Sequence, residues 1–437
     1  MRGLVFLTLF FPALLATARP GAVLPERARV DAVNAVLKDR LDNLMPALMR
    51  ETGIDLWLII NREYAEDPVY LTLVPEPVFS ARRLSMLILH DRGEKGLERI
   101  TVNRYPIAGY YEAAWEGGNI DEQWKRLNAI LRERNPKKIG INFSRDWAFG
   151  DGLTHGLHER LVASLDPELR GRLVSAQDLA IRWLETRTAA ELETYPSIVA
   201  LARSVVAEAF SEKVITPGVT TTDDVAWYIR QRYADLGLPI WFMPYVNLQR
   251  PGVACASETA FCGISGVIKR GDVLHTDVGI TYLRLNTDTQ EMGYVLRAGE
   301  TDVPDGLRRA LATGNRWQDL LTREFVSGRA GNEILAAARA GAQKENIAAS
   351  IYTHPLGFFG HAPGTIVGFW DNQGPTPIIG DWKLRPSTAY AIEGNVKVAV
   401  PEWNDHLVQI KLEQSAVFDG KKVTYLAGRQ TAWHIVH

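Results

Sequence analysis

Residues 271–288 read Gly-Asp-Val-Leu-His-Thr-Asp-Val-Gly-Ile-Thr-Tyr-Leu-Arg-Leu-Asn-Thr-Asp, and the C-terminal half is organised around this segment. Apolar residues open it, and β-branched and aromatic residues are frequent around Gly279, which predicts a strand, a bend and a returning strand. Residues two apart along a strand share a face, so His275 and Asp277 point the same way. Asp288 can face Asp277 from the returning strand. Two bare acids inside an apolar hairpin are costly, so we expect a cation between them and further ligands from elsewhere in the chain.

Length and composition indicate a globular protein of two domains. The 437 residues are too many for one ordinary core. The hydrophobic share of 46% and the charged share of 23% are usual for globular chains. A net charge of −2 gives no reason to expect nucleic acid or an anionic membrane as a partner.

The N-terminus has the pattern of a secretory signal peptide. Arg2 precedes an apolar run over residues 4–15, and residues 16–18, Ala-Thr-Ala, supply a small-x-small cleavage site. The run is short for a membrane span, and a retained anchor is the alternative. We expect residues 1–18 to be removed, which implies a periplasmic or secreted protein without membrane contact after cleavage.

The two cysteines, Cys255 and Cys262, leave their own state open. An oxidising compartment permits a disulfide between them, although two thiols in one loop do not prove it. The chain has no CxxC pair, which argues against a cysteine–histidine zinc site.

Strands that alternate with helices predict an α/β domain over residues 25–175. Apolar residues at helical spacing predict a helix over 29–51, and a buried strand follows at 55–60. Another helix is expected over about 121–134. The further strand candidates are residues 69–74, 84–90, 100–104 and 139–143.

Helices packed on a largely antiparallel sheet, an α+β arrangement, are predicted for the second domain over residues 188–437. A capping box at Thr188 opens one helix, and the segment 221–224, Thr-Thr-Asp-Asp, opens another. Two more helices are expected at about 304–325 and 331–345. Three strands, at residues 390–393, 408–413 and 416–418, close the chain.

Three further motifs of this half contain potential metal ligands. They are Gly360-His361-Ala-Pro-Gly364, Ile392-Glu393-Gly394, and Glu413 between apolar residues of a strand. Each is weak alone, because a histidine beside glycine or proline is usually a turn residue and a strand glutamate usually faces solvent.

Taken in order with the acidic hairpin, these motifs resemble the creatinase and Xaa-Pro aminopeptidase family, the pita-bread metallopeptidases. The family pattern is Gly-Asp, Asp-x10-Asp, Gly-His-x-x-Gly, Ile-Glu-x-Gly and a final strand Glu, and it covers residues 188–437 well. The resemblance implies a C-terminal pita-bread domain, with helices on a curved and largely antiparallel sheet. A smaller α/β domain of the creatinase type would precede it.

The resemblance also implies two divalent metal ions per chain. Asp277 would bind one ion, His361 and Glu393 the other, and Asp288 and Glu413 would bridge both. Two cations would balance four carboxylates that otherwise repel one another. Mainly oxygen ligands with one imidazole favour manganese, with cobalt, zinc or iron as alternatives. Glu393 would shuttle a proton between a metal-bridging hydroxide and the leaving amine.

The activity implied is that of an exported Xaa-Pro aminopeptidase, a homodimer that cleaves an amide bond in small peptides. Family peptidases carry two more histidines, about ten residues before the Gly-Asp and seven after the metal histidine. Here the first region, residues 258–262, has no histidine, and position 368 is Gly. His354, seven residues before His361, is the candidate catalytic replacement. Lys411 stands where the family often has Arg, and would hold a substrate carboxylate or pair with a neighbouring acid.

Two alternatives remain open. The same fold and metal site could serve non-peptide C–N hydrolysis or lyase chemistry, which the missing histidines favour. A non-catalytic binding protein stiffened by metal is the other, although the presence of Glu393 and a secretion signal speaks against it.

Overall fold

The computed structural model describes residues 23–107, 109–253, 255 and 261–437. The predicted signal peptide therefore lies outside the described residues. The described chain has two large sheets, one in each half, with helices packed against both, which confirms the predicted α+β fold. Among the described residues, no helix combines the length and the apolar character needed to cross a bilayer.

The N-terminal half is a mixed sheet between two layers of helices. Its elements are α1 (Glu26–Asp39), α2 (Met45–Thr52), β1 (Leu56–Arg62), α3 (Tyr70–Leu73), β2 (Leu84–Asp91), β3 (Leu97–Thr101), β4 (Glu112–Ala113), α4 (Ile120–Arg134), β5 (Ile139–Ile141), α5 (His155–Ser164), α6 (Pro167–Arg170), β6 (Leu173–Ser175) and α7 (Gln177–Glu185). The strand order is β4-β3-β2-β1-β5-β6. Leu56 and Leu58 pack towards α4 and α5, whereas Trp57 and Ile59 pack towards α1, α2 and α7. Both faces of β1 are thus buried, which explains the unbroken apolar run over residues 56–60.

The C-terminal half is built on a nine-stranded, largely antiparallel sheet. Its elements are α8 (Ala189–Ala209), α9 (Thr222–Asp235), β7 (Tyr245–Gln249), β8 (Val273–Val278), β9 (Thr281–Tyr282), β10 (Leu285–Asn286), β11 (Thr289–Val295), α10 (Asp305–Thr322), α11 (Gly331–Lys344), β12 (Ala348–Ile351), β13 (His354–Leu356), β14 (Thr388–Val400), β15 (His406–Phe418), β16 (Val423–Tyr425) and β17 (His434–Val436). The main strand order is β12-β14-β15-β11-β8-β7, with β13 on β14, β16 on β15 and β17 on β11. Tyr390 and Ile392 of β14 pack with α10 and α11, whereas Ala389 and Ala391 pack with α8 and α9. Glu393 continues the second series, which puts it on the face opposite α10.

Several predicted elements are confirmed with shifted bounds. The capping boxes at Thr188 and Thr221 are present, and each begins a helix. The two strands predicted at 408–413 and 416–418 form one strand, β15. The helix predicted over 29–51 contains a π-helical turn, Arg40–Leu44. The domain boundaries stay a prediction.

The strand predicted at residues 69–74 is wrong, because this segment forms the short helix α3. The Asp67 carboxylate accepts a hydrogen bond from the Val69 amide, and the Asp67 carbonyl accepts one from the Tyr70 amide. These contacts begin a helical turn. A short apolar run fits either a strand or a buried helix, so its sequence pattern did not distinguish them.

The returning strand is also interrupted, because β9 and β10 form a separate two-stranded hairpin at its tip. Asp288 lies immediately before β11 rather than within it. The structure also joins Cys255 and Cys262 in a disulfide, the question that the sequence left open.

Candidate metal centre

One row of side chains crosses the second sheet at a single level. Asp277 of β8 lies opposite Gln290 of β11. Gln290 in turn lies opposite Glu413 of β15, and Glu413 lies opposite Glu393 of β14. Directly opposed residues of neighbouring strands share a face, with their Cβ atoms about 5 Å apart. The strand register alone therefore brings three of the predicted carboxylates together.

Asp288 and His354 join this row from the next level of the pleat. Asp288 is two residues before Gln290, and His354 pairs with Ala391, two residues before Glu393. The His354 Nε2 atom lies 3.6 Å from Asp288 Oδ2 and 3.7 Å from Glu413 Oε1. The Ser415 hydroxyl donates to the Asp288 carbonyl at 3.1 Å, which ties the start of β11 to β15.

The potential ligand atoms fall into three overlapping groups, in each of which all atoms lie within 4.8 Å of one another. The groups are Asp277, Asp288 and Glu413; His354, Glu393 and Glu413; and Asp288, His354 and His361. All five predicted metal ligands and the predicted catalytic His354 therefore lie in one cluster.

Burial perturbs the titration of this cluster. It raises the pKa of the Asp277 carboxyl group to about 7. Burial, and then the charges of neighbouring carboxylates, raise the pKa values of Asp288, Glu393 and Glu413 well above their usual range. Burial lowers the pKa of His354 to about 4, so its imidazole is neutral at neutral pH, which is the form that binds metal.

Four buried atoms of the cluster have no hydrogen-bond partner among the residues that the structure describes. They are Asp277 Oδ1, Asp288 Oδ1, Glu413 Oε1 and His354 Nε2. Buried polar atoms nearly always have a partner, so four such atoms within one cluster indicate that a further group belongs there. Carboxylate oxygens with an imidazole suit first-row divalent cations, and the residues present therefore fit a metal.

His361 lies at the exposed rim of the cluster, on a loop that the N-terminal half anchors. Its ring centre is 4.6 Å from that of His354 and 5.1 Å from that of Trp241. Phe358 lies against the Arg40 guanidinium at 4.8 Å, and Phe359 packs on Phe149 of the first half at 4.6 Å. The N-terminal half thus helps to fix the position of this histidine.

Trp241 also explains the glycine before His361. A Cβ atom added at Gly360 would lie 2.3 Å from Trp241 Cε2, and one at Gly279 would lie 2.1 Å from Trp241 Nε1. The indole donates to the Thr287 carbonyl at 2.8 Å, beside Asp288. Both glycines therefore make room for one tryptophan that packs on the site.

Sequence reasoning missed Gln290. Its side-chain amide donates to Glu393 Oε1 at 2.8 Å and to Glu413 Oε2 at 2.9 Å. The available signal was its position two residues after Asp288, which puts both on one side of a strand. Lys411, for which two roles were open, contacts the Asn247 amide oxygen, the Cys262 carbonyl and the Phe261 ring. None of these three partners is an acid, so an ion pair with a neighbouring acid is not among its contacts, and the substrate role stays a prediction.

Comparison with solved structures identifies the fold. An X-Pro aminopeptidase from Thermotoga maritima matches with a TM-score of 0.63 at 16% identity, covering 89% of this chain and 100% of that one. An Xaa-Pro dipeptidase from Bacillus anthracis matches with a TM-score of 0.57 at 15% identity, covering 94% and 99%. A prolidase from Pyrococcus furiosus matches with a TM-score of 0.55 at 14% identity, covering 88% and 99%. At such identities the likeness shows the fold alone.

Sequence comparison supplies the family. A search of curated proteins finds no match. The sequence model of metallopeptidase family M24 matches residues 197–418, just over half of the chain, and this range contains every carboxylate and histidine of the cluster. The resemblance predicted from the ordered motifs is thereby confirmed. The chain belongs to metallopeptidase family M24.

Proposed function

We propose that the protein is an exported dinuclear aminopeptidase of the Xaa-Pro type that cleaves an amide bond in small peptides. The observation that carries this proposal is the cluster of four carboxylates and two histidines, in which four buried atoms have no hydrogen-bond partner among the described residues. Two of the solved structures named above are an X-Pro aminopeptidase and an Xaa-Pro dipeptidase, which supports the substrate class. Export is supported by the signal-peptide pattern of residues 1–18.

Two divalent cations, with manganese the first choice, fit the overlapping ligand groups. Asp277, Asp288 and Glu413 would hold one ion, and His354, Glu393 and Glu413 would hold the other. Bound there, the ions would supply Lewis-acid activation of water and of the scissile carbonyl. Glu393 would carry the proton to the leaving amine. A homodimer remains part of the proposal through the family resemblance.

We further propose that the two histidines exchange the roles that the sequence suggested. His354 is buried, and its Nε2 atom points at two carboxylates, whereas His361 lies at the exposed rim. His354 also begins a His-x-x-Gly motif that ends at Gly357. His361 then stands seven residues after the metal histidine, which is where family peptidases carry their second histidine. One of the two apparent departures from the family pattern disappears under this assignment.

Alanine substitution separates the two roles. His354→Ala is expected to lose both metal and activity, since it removes a ligand atom. His361→Ala is expected to keep a wild-type metal content and lose roughly 100- to 1,000-fold in kcat, the size of effect seen when a group that stabilises a transition state is removed. Elemental analysis and kinetics on the same samples measure both quantities. Metal loss in His361→Ala with metal retained in His354→Ala would restore the original assignment.

The substrate class is tested with peptides that differ at one residue. Protein stripped of metal and reloaded with Mn²⁺ is incubated with Xaa-Pro dipeptides and Xaa-Pro-Yaa tripeptides, and with copies that carry Ala in place of Pro. We expect release of the N-terminal residue from the proline peptides and slower release from the control peptides in which Ala replaces Pro. If fully loaded protein released nothing from any peptide, the peptidase proposal would be lost. Turnover of creatine or another non-peptide C–N substrate in the same assay would support the alternative chemistry.

A further inference from the structure

A buried chain of hydrogen-bonded side chains leads to two of the proposed metal ligands. We call it the donor chain, and its members are Lys411, Asn247, His275 and Gln290. The Lys411 ammonium donates to Asn247 Oδ1 at 3.2 Å, and Asn247 Nδ2 lies 3.1 Å from His275 Nδ1. His275 Nε2 lies 2.9 Å from Gln290 Oε1. The Gln290 amide ends the chain with its two bonds to the glutamates.

The direction of every bond in the donor chain follows from its first member. An amide oxygen only accepts, so Lys411 Nζ donates to Asn247 Oδ1, and the Asn247 NH2 group on the other side donates to His275 Nδ1. The neutral imidazole must then carry its proton on Nε2 and donate to the Gln290 oxygen. The NH2 group of Gln290 is thereby turned towards the carboxylates. Each link fixes the orientation of the next.

The donor chain has little access to water, which would otherwise satisfy these groups in other orientations. Asn247 is 0% exposed, His275 and Lys411 are 1% exposed, and Gln290 is 7% exposed. Lys411 is held at the far end by the Cys262 carbonyl at 2.8 Å and by the Phe261 ring, whose centre is 3.8 Å away. Hydrogen bonds inside a low-dielectric interior are stronger than in water, and a chain of them is polarised cooperatively.

The strand register explains why this chain meets the metal cluster. His275 is two residues before Asp277 on β8, and Lys411 is two residues before Glu413 on β15. Asn247 of β7 pairs with His275. The donor chain is thus the neighbouring row of side chains on the face that carries the ligands, and Gln290 links the two rows.

We propose that Gln290 and His275 are positioning residues, which hold the Glu393 and Glu413 carboxylates in the arrangement that binds metal, with Lys411 and Asn247 fixing their orientation. In the metal-free protein the Gln290 amide donates to both glutamates and so holds them in place before a cation binds. The inference rests on the proposed metal site.

Metal affinity tests this inference directly, with Mn²⁺ titrated into metal-stripped, full-length protein by calorimetry. Gln290→Leu is expected to weaken Mn²⁺ binding by about 10- to 100-fold, as loss of a partner of a metal ligand usually does. His275→Leu is expected to weaken it less, because the Gln290 amide remains but is free to turn. The matched control is Gln414→Leu. Gln414 is buried and adjacent to Glu413. Its side chain accepts from Gln318 and donates to the Gln290 backbone carbonyl, but it donates to neither glutamate, so this variant should keep wild-type affinity if the Gln290 side chain is what matters.

The inference is overturned if folded Gln290→Leu binds Mn²⁺ within about threefold of wild type, or if Gln414→Leu is weakened as much. Tighter binding by Gln290→Leu would also overturn it, since the amide would then be an obstacle. Wild-type protein that binds no Mn²⁺ would instead refute the metal site itself. A second test uses only metal-free wild-type protein, so it does not depend on whether a variant folds. NMR of the His275 ring nitrogens shows which of them carries the proton. We expect a proton on Nε2, and a proton on Nδ1 would contradict the donor chain.

Discussion

Glu413→Gln is expected to abolish metal binding and peptide hydrolysis together. Glu413 is the one residue that contributes to both proposed ion groups, and its Oε1 atom is buried without a hydrogen-bond partner among the described residues. An amide has the same shape but no charge, so the two cations would no longer be balanced. Because bound metal supplies several kcal/mol of transition-state stabilisation, kcat/KM should fall by more than roughly 1,000-fold.

The same variant should behave in the opposite way when metal is absent. It removes one carboxyl group from a crowded and buried cluster, so the metal-stripped variant should unfold at a higher temperature than metal-stripped wild type. Added Mn²⁺ should then stabilise wild type and leave the variant unchanged. Thermal unfolding of wild type and of Glu413→Gln, each with and without Mn²⁺, gives the four midpoint temperatures to compare.

A matched control comes from β11. Glu291 is also a buried strand glutamate, but it contacts Arg203 and His434 away from the cluster. Glu291→Gln should lose stability and keep its metal. Wild-type metal content and activity in Glu413→Gln would remove Glu413 from the site.

Asp277→Asn is expected to stabilise the metal-free protein by an amount that grows with pH. Burial raises the folded-state pKa of Asp277 from 3.8 to about 7. Between these values the folded protein holds a proton that the unfolded chain has released, so this carboxyl group makes stability fall as pH rises. At about 1.4 kcal/mol for each pKa unit, its removal should gain a few kcal/mol by neutral pH. Urea unfolding of wild type and Asp277→Asn at several pH values, in the presence of a chelator, gives the difference in their free energies of unfolding.

The variant must be compared with wild type, because the lowered pKa values of His354 and His275 make the stability of both proteins rise with pH over part of this range. Glu291→Gln serves again as the control. Burial raises the pKa of Glu291, but its contacts with His434 and Arg203 outweigh that effect and leave the pKa lowered. That variant should therefore be less stable than wild type, by an amount that grows as pH rises through 4.5, the ordinary pKa of a glutamate, and is constant above it. A gain from Asp277→Asn that is constant between pH 4 and pH 8 would contradict the buried cluster.

Much of the site could be predicted from sequence because its ligands lie in motifs with fixed spacing. Asp277 and Asp288 belong to one hairpin, and Glu393 and Glu413 lie in apolar strands, where a charged residue requires a reason. The alternation of strand residues also put His275 on the face of Asp277, where the structure has it.

The remaining features depend on which strands become neighbours, and local patterns do not contain that information. Gln290 meets Glu393 only because β11, β15 and β14 lie side by side, and the sequence does not state this order. His354 and His361 both fit a His-x-x-Gly motif, and only the packing of β13 against β14 shows which ring is buried between carboxylates. The helix at α3 was missed for a local reason, since the Asp67 contacts that begin it outweigh an apolar run that fits either structure.

The proposed site requires two cations to hold its clustered carboxylates together. Elemental analysis of the full-length protein, saturated with Mn²⁺ and then freed of unbound metal, counts those cations. We predict two equivalents of metal per chain for wild type and a loss of both in Glu413→Gln. One equivalent or none in saturated wild-type protein would contradict it.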